Sequence, residues 1–360
     1  MTHVEQIYTN CLAEASYFVA NNGEAAVVDP LRDPAPYLAL AAKHNAKIKY
    51  VFETHFHADF VSGHVDLAKA AGGADIVYGP SALPTFDALI ARDGEVLKLG
   101  DATLTVLHTP GHTLESSCYL LTEADGKAKC AFTGDTLFID DVGRPDLAQI
   151  EGELTKEGLA AMLYKSLRTK LMPLNDDLVI YPAHGAGSPC GKAMSNDTSD
   201  TLGSQKLRNY ALRADMTEAE FVAEVLEGQG AAPGYFASDV AMNKGINKPY
   251  AEIQAAAAAA LSADEVEALI AKGTLVFDMH SGPEFCQGHV PKTQFAGGEG
   301  MMALWIARTF PDVKQPYAVV ADDAESVKTF VDRLIRVGFD NCVGHLEGGV
   351  AAWTKIGRAH

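Results

Sequence analysis

Four short segments carrying histidine or aspartate each follow an apolar, β-branched run and enter a turn rich in glycine, proline or threonine. They are Thr54-His55-Phe56-His57-Ala58-Asp59, Thr109-Pro110-Gly111-His112-Thr113, Phe132-Thr133-Gly134-Asp135-Thr136 and Tyr181-Pro182-Ala183-His184-Gly185. This pattern is typical of places where strands end and loops begin, and such loops usually carry binding and catalytic groups. One histidine at a strand end is more often structural than a ligand. Four such segments in one chain predict a metal site.

The segments belong to a region in which predicted strands and helices alternate, which indicates a layered α/β domain. The predicted helices cover residues 36–43 and 61–71. The predicted strands cover residues 25–29, 49–54, 96–99, 103–107, 117–121, 128–133 and 178–181.

A second domain is predicted after a run of six alanines at 255–260, which follows a turn-like break at Asn247-Lys248-Pro249. We place the boundary near residue 258, so that the domains cover 1–257 and 258–360. In the second domain Ser262 is the expected N-cap of a helix, since Glu265 follows it in a capping-box pattern. Predicted strands at 274–278 and 317–321 and a helix at 326–337 indicate a small α/β domain with a parallel sheet.

The composition restricts the classes of partner. A length of 360 residues suits two domains, and a formal net charge of −18, from 29 basic and 47 acidic residues, argues against nucleic-acid or anionic-membrane binding. The six cysteines form no CxxC pair, which favours reduced intracellular thiols over a disulfide framework. No signal-peptide pattern and no apolar run of about 20 residues is visible. We therefore expect a cytoplasmic protein.

The spacing within the first segment favours metal binding. His55 and His57 are separated by one residue, so an extended backbone directs both imidazoles to the same side, and Asp59 follows as the chain turns. His112, Asp135 and His184 arrive from other strand ends. Neutral imidazole and carboxylate are suitable ligands for Zn, Fe or Mn.

Together these segments resemble the metallo-β-lactamase fold, an αβ/βα sandwich that binds one or two metals through HxHxDH, a later His, a bridging Asp and a final His. The sixth position of HxHxDH is Phe60 here, and phenylalanine cannot bind a metal. In the family the missing histidine helps to hold the second metal, so a binuclear zinc site is weakened. His64 lies four residues later on the next helix, where it either replaces this ligand or is an ordinary polar residue near the helix start.

Within the fold, the chain resembles persulfide dioxygenases, also called sulfur dioxygenases. The resemblance implies one Fe(II) per chain, bound by His55, His112 and Asp135, with Zn as the alternative. It implies oxidation of a low-molecular-weight thiol persulfide, such as glutathione persulfide, by O₂ to sulfite and thiol. His57, Asp59 and His184 would surround these ligands or hold a second metal. We predict catalytic contributions from His57, Asp59, Cys190 and Arg144.

Two further segments support this resemblance. Residues 136–147 resemble the GRxDL loop after the metal-binding Asp, and residues 185–192 resemble the version fused to rhodanese domains. Arg144 has a structural alternative, a salt bridge to Asp146. Cys190 is predicted to relay a persulfide sulfur, with Lys192 favouring its thiolate; the alternative is an inert buried thiol. Lys192, Lys206 and Arg208 are candidates for binding the carboxylates of an acidic thiol, or are surface charges.

Residues 262–357 resemble a rhodanese domain, through the segments 276–285, 288–291, 338–342 and 346–353. The loop that would carry the catalytic cysteine instead reads Asp322-Asp323-Ala324-Glu325-Ser326, and His280 replaces the usual arginine. These acids suit the N-terminus of the following helix. We expect an inactive rhodanese-like domain used in packing, in contacts of a homo-oligomer or in partner docking.

Two other functions remain open from sequence. One is a zinc-dependent, glyoxalase-II-like thioester hydrolase, which Phe60 disfavours. The other is a sulfur-binding or sulfurtransferase module, which the missing cysteine disfavours. The thiol carrier is open as well, and so is the choice between sulfite and thiosulfate as product.

Overall fold

The computed structural model describes residues 1–149, 153–355 and 357. Its contacts divide the chain into two compact units. The first comprises Met1–Ala232 and Asn243–Ile246, and the second comprises Pro233–Met242 and Asn247–His360. The domain boundary predicted at residues 257 and 258 falls inside the second unit, and it stays a prediction.

The first unit contains two six-stranded sheets. The first sheet has the order β1-β2-β3-β4-β5-β6, in which β1 to β3 are antiparallel and β3 to β6 are parallel. Its strands are β1 (His3–Thr9), β2 (Glu14–Asn21), β3 (Glu24–Val28), β4 (Lys47–Phe52), β5 (Asp75–Tyr78) and β6 (Leu89–Ile90). The parallel strands are joined through α1 (Ala35–Lys43) and α2 (His64–Ala70).

The second sheet has the order β12-β11-β10-β9-β8-β7, and only the β10–β11 pair is parallel. Its strands are β7 (Val96–Leu99), β8 (Ala102–His108), β9 (Ser117–Thr122), β10 (Ala128–Gly134), β11 (Val179–Pro182) and β12 (Asp200–Thr201). The helices of this unit that follow are α3 (Lys156–Ser166), α4 (Leu202–Arg208) and α5 (Glu218–Leu226). Helix α6 (Phe236–Lys244) belongs to the second unit except for its last two residues.

The core of this unit lies between the two sheets, because alternate residues of each strand point toward the other sheet. Tyr17 and Val19 of β2 pack in one buried cluster with Leu104 and Val106 of β8. A second cluster joins the outer face of the second sheet to α3, including Leu163 and Ile180. The predicted αβ/βα sandwich is therefore confirmed, and its strand ends meet at one edge where the site lies.

The second unit is built on a parallel sheet of order β13-β17-β16-β14-β15. Its strands are β13 (Ala260–Leu261), β14 (Leu275–Asp278), β15 (Gln294–Phe295), β16 (Tyr317–Val320) and β17 (Cys342–Leu346). Its helices are α7 (Tyr250–Ala257), α8 (Ala263–Ala271), α9 (Gly282–Gln287), α10 (Met302–Thr309), α11 (Ala324–Ile335) and α12 (Gly349–Lys355). The small α/β domain with a parallel sheet is confirmed.

Helix capping follows the sequence closely in this unit. Ser262 caps α8 in a full capping box with Glu265, as predicted. Helix α11 begins at Ala324, two residues before the predicted start, because the Asp323 side chain accepts a hydrogen bond from the Ser326 N–H at 2.8 Å. The acidic loop thus caps a helix. Within the described ranges, no helix combines the length and apolar character needed to cross a membrane.

Candidate metal centre

Buried polar side chains fix the loop that follows β4 and carries the first two histidines. The Asp29 carboxylate accepts hydrogen bonds from the Thr54 N–H at 2.8 Å and from the Thr54 hydroxyl at 2.9 Å. Glu115 accepts from the Phe56 N–H at 3.0 Å. The Asn243 amide donates to the carbonyls of His57 and Phe60 at 2.8 and 2.7 Å. Glu115 and Asn243 carry no sequence signal of this role, whereas Asp29 directly follows the neighbouring strand β3 and could have been recognised.

The structure brings together the three residues that the resemblance implied as ligands. His55, His112 and Asp135 are all buried, and one ligand atom of each lies within 4.8 Å of the other two. The Asp135 Oδ2 atom is 3.4 Å from His112 Nε2 and 3.8 Å from His55 Nε2. They reach this point from the ends of β4, β8 and β10. Their assignment as ligands stays a proposal.

The remaining polar atoms of this triad are fixed by protein partners. His112 Nδ1 donates to the Arg144 carbonyl at 2.8 Å. Because the Thr54 hydroxyl gives its proton to Asp29, it accepts from His55 Nδ1 at 3.0 Å. Asp135 Oδ1 accepts from His184 Nδ1 at 2.8 Å. Both triad histidines therefore present an unprotonated Nε2 toward Asp135 Oδ2.

Three atoms are left without partners at the point where the triad converges. His55 Nε2, His112 Nε2 and Asp135 Oδ2 are buried and make no hydrogen bond. Buried polar atoms are normally satisfied, so three convergent acceptors fit a bound cation. Two imidazole nitrogens and one carboxylate oxygen form a donor set that fits a divalent transition metal. The chain thus contains a metal-binding His/Asp cluster.

The charge states of the triad agree with this fit. Burial lowers the pKa of His55 well below its usual value, and the neighbouring His57 adds to the effect. Burial opposes ionisation of Asp135, but His184, His55 and His112 outweigh it and hold the pKa of the Asp135 carboxyl below its usual range. Neutral imidazole and ionised carboxylate are the forms that bind metals.

Gly143 allows the loop after Asp135 to approach the triad closely. A Cβ atom at this position would lie 2.1 Å from the Asp135 carbonyl oxygen and 2.9 Å from His112 Nδ1. Neither contact is sterically possible. Glycine is therefore required here for the Arg144 carbonyl to reach His112.

A second group, formed by His57, Asp59 and His184, lies beside the triad, and its ligand atoms are also within 4.8 Å of one another. His184 joins the two groups, with Nδ1 on Asp135 and Nε2 2.9 Å from Asp59 Oδ2. Burial opposes the charged ring, but Asp135 and Asp59 outweigh it and raise the pKa of His184 well above its usual value. His57 Nε2 lies 3.1 Å from Asp29 Oδ1 and 3.7 Å from Glu53 Oε2.

The position of the family's sixth motif residue is filled by an apolar ring. Phe60 is fully buried, and its ring centroid lies 4.2 Å from that of His57 and 6.2 Å from that of His184. His64 does not take its place among the metal-binding groups of the described residues. Its Nδ1 lies 3.5 Å from Glu53 Oε1, its ring packs beside Phe86 at 4.8 Å, and burial lowers its pKa to about 3.

Cys190 lies at the centre, but not as a thiolate. Its sulfur belongs to a group within 4.8 Å that includes Asp135 and His184. Burial, with added repulsion from Asp59 and Asp135, raises the pKa of the Cys190 thiol well above its usual value. Lys192 instead donates to the Glu224 carbonyl at 2.5 Å and lies over the Tyr210 ring. The prediction that Lys192 favours a thiolate is therefore wrong.

The other predicted site residues make surface or loop contacts. The Arg144 guanidinium binds Asp146 through two 2.7 Å hydrogen bonds, which is its structural alternative. Its backbone, however, serves the site, through the carbonyl on His112 and the N–H that donates to the Cys190 carbonyl at 2.9 Å. Lys206 pairs with Asp176 at 2.6 Å, and Arg208 pairs with Asp140 at 2.7 Å. The structure does not bring these two cations to the triad, and their substrate contacts stay predictions.

The loop of the second unit is organised differently. His280 Nδ1 lies 2.7 Å from Asp278 Oδ1, and Nε2 lies 3.0 Å from Asp322 Oδ1. This group borders a cavity of about 680 Å³, whose described lining includes no cysteine. Cys286 is exposed and Cys342 is buried in β17. That the unit is inactive as a sulfurtransferase stays a prediction.

Each of the two units matches a known protein family. The model of the metallo-beta-lactamase superfamily matches residues 9–184, and that of the rhodanese-like domain matches residues 262–356. A probable metallo-hydrolase of Burkholderia pseudomallei is 30% identical over 257 residues, which are 61% of this chain and 84% of that protein. A metallo-beta-lactamase crystal structure from Staphylococcus aureus has a TM-score of 0.81 at 28% identity and covers 96% of this chain and 98% of that one.

Two relatives with different activities are similar at comparable levels. The cytoplasmic hydroxyacylglutathione hydrolase of Arabidopsis thaliana is 37% identical over 174 residues, 47% of this chain and 62% of that protein. The human mitochondrial persulfide dioxygenase is 33% identical over 162 residues, 45% of this chain and 59% of that protein. The chain thus spans about three fifths of each. It belongs to the metallo-β-lactamase superfamily and carries a C-terminal rhodanese-like domain.

Proposed function

We propose that the chain is a non-haem Fe(II) persulfide dioxygenase. Its substrates would be O₂ and a low-molecular-weight thiol persulfide such as glutathione persulfide, and its products sulfite and the free thiol. The observation that carries the proposal is Phe60, because this buried ring stands where a second-metal ligand is expected. It therefore favours a single metal at the His55–His112–Asp135 triad.

Two histidines and one carboxylate with open positions are the arrangement suited to non-haem Fe(II) and O₂ chemistry. Bound by this triad, Fe(II) would supply the O₂ chemistry that oxidises the terminal sulfur of the persulfide. Three groups orient the proposed ligands. The Thr54 hydroxyl contacts His55 Nδ1, the Arg144 carbonyl contacts His112 Nδ1, and His184 contacts Asp135 Oδ1. Each contact leaves the other side-chain atom of the ligand for the metal.

The net reaction defines which atoms and protons the active site must transfer. One persulfide, one O₂ and one water give one thiol, one sulfite and two protons, so the terminal sulfur gains three oxygens and the S–S bond breaks. His184 and Asp59 are placed to hold a proton near the reacting sulfur, with His184 Nε2 2.9 Å from Asp59 Oδ2. Phe60 and Phe138 are fully buried beside them and exclude bulk water.

Cys190 is proposed to contact the persulfide as a neutral thiol beside Asp135. In Cys190→Ser, we expect lower turnover or a change in the ratio of sulfite to thiosulfate. Cys118→Ser is the matched control, since this buried thiol lies against Thr109 and Thr133. Wild-type turnover and products in Cys190→Ser would remove the cysteine from the mechanism.

The second candidate is a zinc-dependent thioester hydrolase. It is favoured by the Arabidopsis relative and by the His57–Asp59–His184 group beside the triad. Such an enzyme would bind two zincs, whereas the triad alone binds one metal. Metal content therefore separates the two candidates.

The test is an anaerobic purification with Fe(II), a metal count, and measurement of O₂ uptake with glutathione persulfide. We expect about one iron per chain and uptake that depends on the persulfide. Two zincs per chain, no uptake and hydrolysis of a hydroxyacylglutathione thioester would overturn the proposal. Assaying persulfide formation from thiosulfate tests the remaining alternative, a sulfurtransferase in the second unit.

A further inference from the structure

Another group of metal-binding side chains in the first unit lies on the outer part of the first sheet. His3 and Glu5 belong to β1, and His44 directly follows α1. Since residues i and i+2 of a strand point to the same side, His3 and Glu5 share one face of β1. The end of α1 brings His44 to that face. One ligand atom of each residue lies within 4.8 Å of the other two.

The carboxylate of Glu5 is the centre of this group. Its Oε2 atom lies 3.1 Å from His3 Nε2 and 4.0 Å from His44 Nε2. The two imidazole rings stack with their centroids 4.1 Å apart. Both histidines therefore direct the same nitrogen, Nε2, toward one carboxylate oxygen.

One nitrogen of the group has no partner among the described residues. His44 Nε2 is buried and makes no hydrogen bond, although the side chain as a whole is 23% exposed. The Phe18 ring packs beside it, with centroids 5.7 Å apart. A buried ring nitrogen without a hydrogen bond needs a partner, and a cation is one that the unprotonated nitrogen can take.

We propose that His3, Glu5 and His44 bind a divalent transition-metal ion, Zn²⁺ in particular, with water completing the coordination. Imidazole nitrogen and carboxylate oxygen are zinc ligands, and bond lengths near 2.0–2.2 Å place tetrahedral ligand atoms about 3.4 Å apart. The Glu5 distances of 3.1 and 4.0 Å need only small side-chain rotations to reach this spacing. The ion would tie β1 to the end of α1, separately from the triad.

Lys43 provides an internal competitor for the site. Its ammonium lies 3.4 Å from Glu5 Oε2, and its side chain is 62% exposed, so it can turn into solvent when an ion binds. Removing this ammonium removes a repulsive charge from the vicinity of the ion. Lys43→Gln is therefore expected to strengthen metal binding, whereas loss of either histidine weakens it.

The test uses the full chain with the triad already loaded with iron. Zn²⁺ is titrated under anaerobic conditions, and bound zinc and iron are counted after gel filtration. We expect one zinc per chain in the wild type, none in His44→Gln and His3→Gln, and tighter binding in Lys43→Gln. His108→Gln is the matched control, since its Nε2 bonds the Leu114 carbonyl.

Two further measurements separate loss of a zinc ligand from a disturbance of the fold. Zinc X-ray absorption should report histidine ligation in the wild type and its loss in His44→Gln, with the iron count unchanged. His3 is 42% exposed, so His3→Gln tests the site even if His44→Gln disturbs packing. Equal zinc binding in the wild type and both histidine variants would overturn the proposal, as would weaker binding in Lys43→Gln.

Discussion

The two units place histidine and aspartate at strand ends in the same way but satisfy them differently. In the first unit, His55, His112 and Asp135 each leave one buried atom without a hydrogen bond, and these atoms converge. In the second unit, His280 has a carboxylate on each ring nitrogen, Asp278 at 2.7 Å and Asp322 at 3.0 Å. Only the first arrangement leaves room for a cation.

This difference separates a group of side chains that leaves buried atoms unpaired from one whose members pair with one another. A metal site keeps its lone pairs unpaired and uses the remaining atoms for orientation. His280 instead has a carboxylate partner on each ring nitrogen, Asp278 and the loop residue Asp322. The following predictions test this contrast, in order of decreasing effect.

Removing the carboxylate of the triad is expected to have the largest effect. In Asp135→Ala the cluster loses its charged ligand and the acceptor that holds His184 Nδ1. We expect bound iron near zero by elemental analysis and no persulfide-dependent O₂ uptake. His108→Gln, on β8 near His112, should keep both. Retention of one iron per chain in Asp135→Ala would show that the metal lies elsewhere.

Restoring the sixth motif residue tests whether Phe60 limits the metal count. In Phe60→His we expect metal content to rise from one toward two per chain, because the new imidazole would lie beside Asp59 and His184. Phe60→Leu keeps the site apolar at a cost of about 1 kcal/mol in the free energy of unfolding and should keep one metal. If Phe60→His still binds a single metal, Phe60 does not limit the metal count.

Orientation of the triad depends on a chain of three groups, from His55 Nδ1 through the Thr54 hydroxyl to Asp29. Thr54→Val removes the hydroxyl and preserves the shape. We expect metal affinity to fall roughly 10- to 100-fold, as measured by competition with a chelator. Thr105→Val, on β8 outside the site, is the control. Unchanged affinity in Thr54→Val would mean that the hydroxyl does not orient His55.

The sequence was sufficient to predict the three residues that converge in the triad, but not the groups that support them. His55, His112 and Asp135 follow apolar strands, and such strand ends can be read from local patterns. Their supports are set by tertiary packing: Asn243 reaches the His57 carbonyl across 186 residues, and His112 is held by a backbone carbonyl that no residue pattern reveals. Likewise, proximity in sequence predicted that Lys192 lies beside the Cys190 thiol. In the structure its ammonium donates to the Glu224 carbonyl instead.

The smallest expected effect is a pH dependence confined to the second unit. Burial opposes the charge on His280, but hydrogen bonds to Asp322 and Asp278 outweigh it and raise its pKa above the usual value. The folded state then binds more protons than the unfolded state once the pH exceeds about 6.5. This contribution to the free energy of unfolding is fully present below that pH. It is lost as the pH rises through the folded-state pKa.

In His280→Gln, we expect this loss of stability with rising pH to disappear. Both tryptophans of the chain, Trp305 and Trp353, belong to the second unit, so tryptophan fluorescence during urea unfolding follows that unit alone. Asp322→Asn should show a smaller change, since His280 keeps its buried partner Asp278. Identical pH profiles for the wild type and His280→Gln would contradict the ion-paired description of this loop. If the pH profile of His280→Gln is flatter than that of the wild type, the charges of this loop stabilise the fold, in contrast to the unpaired atoms of the metal centre.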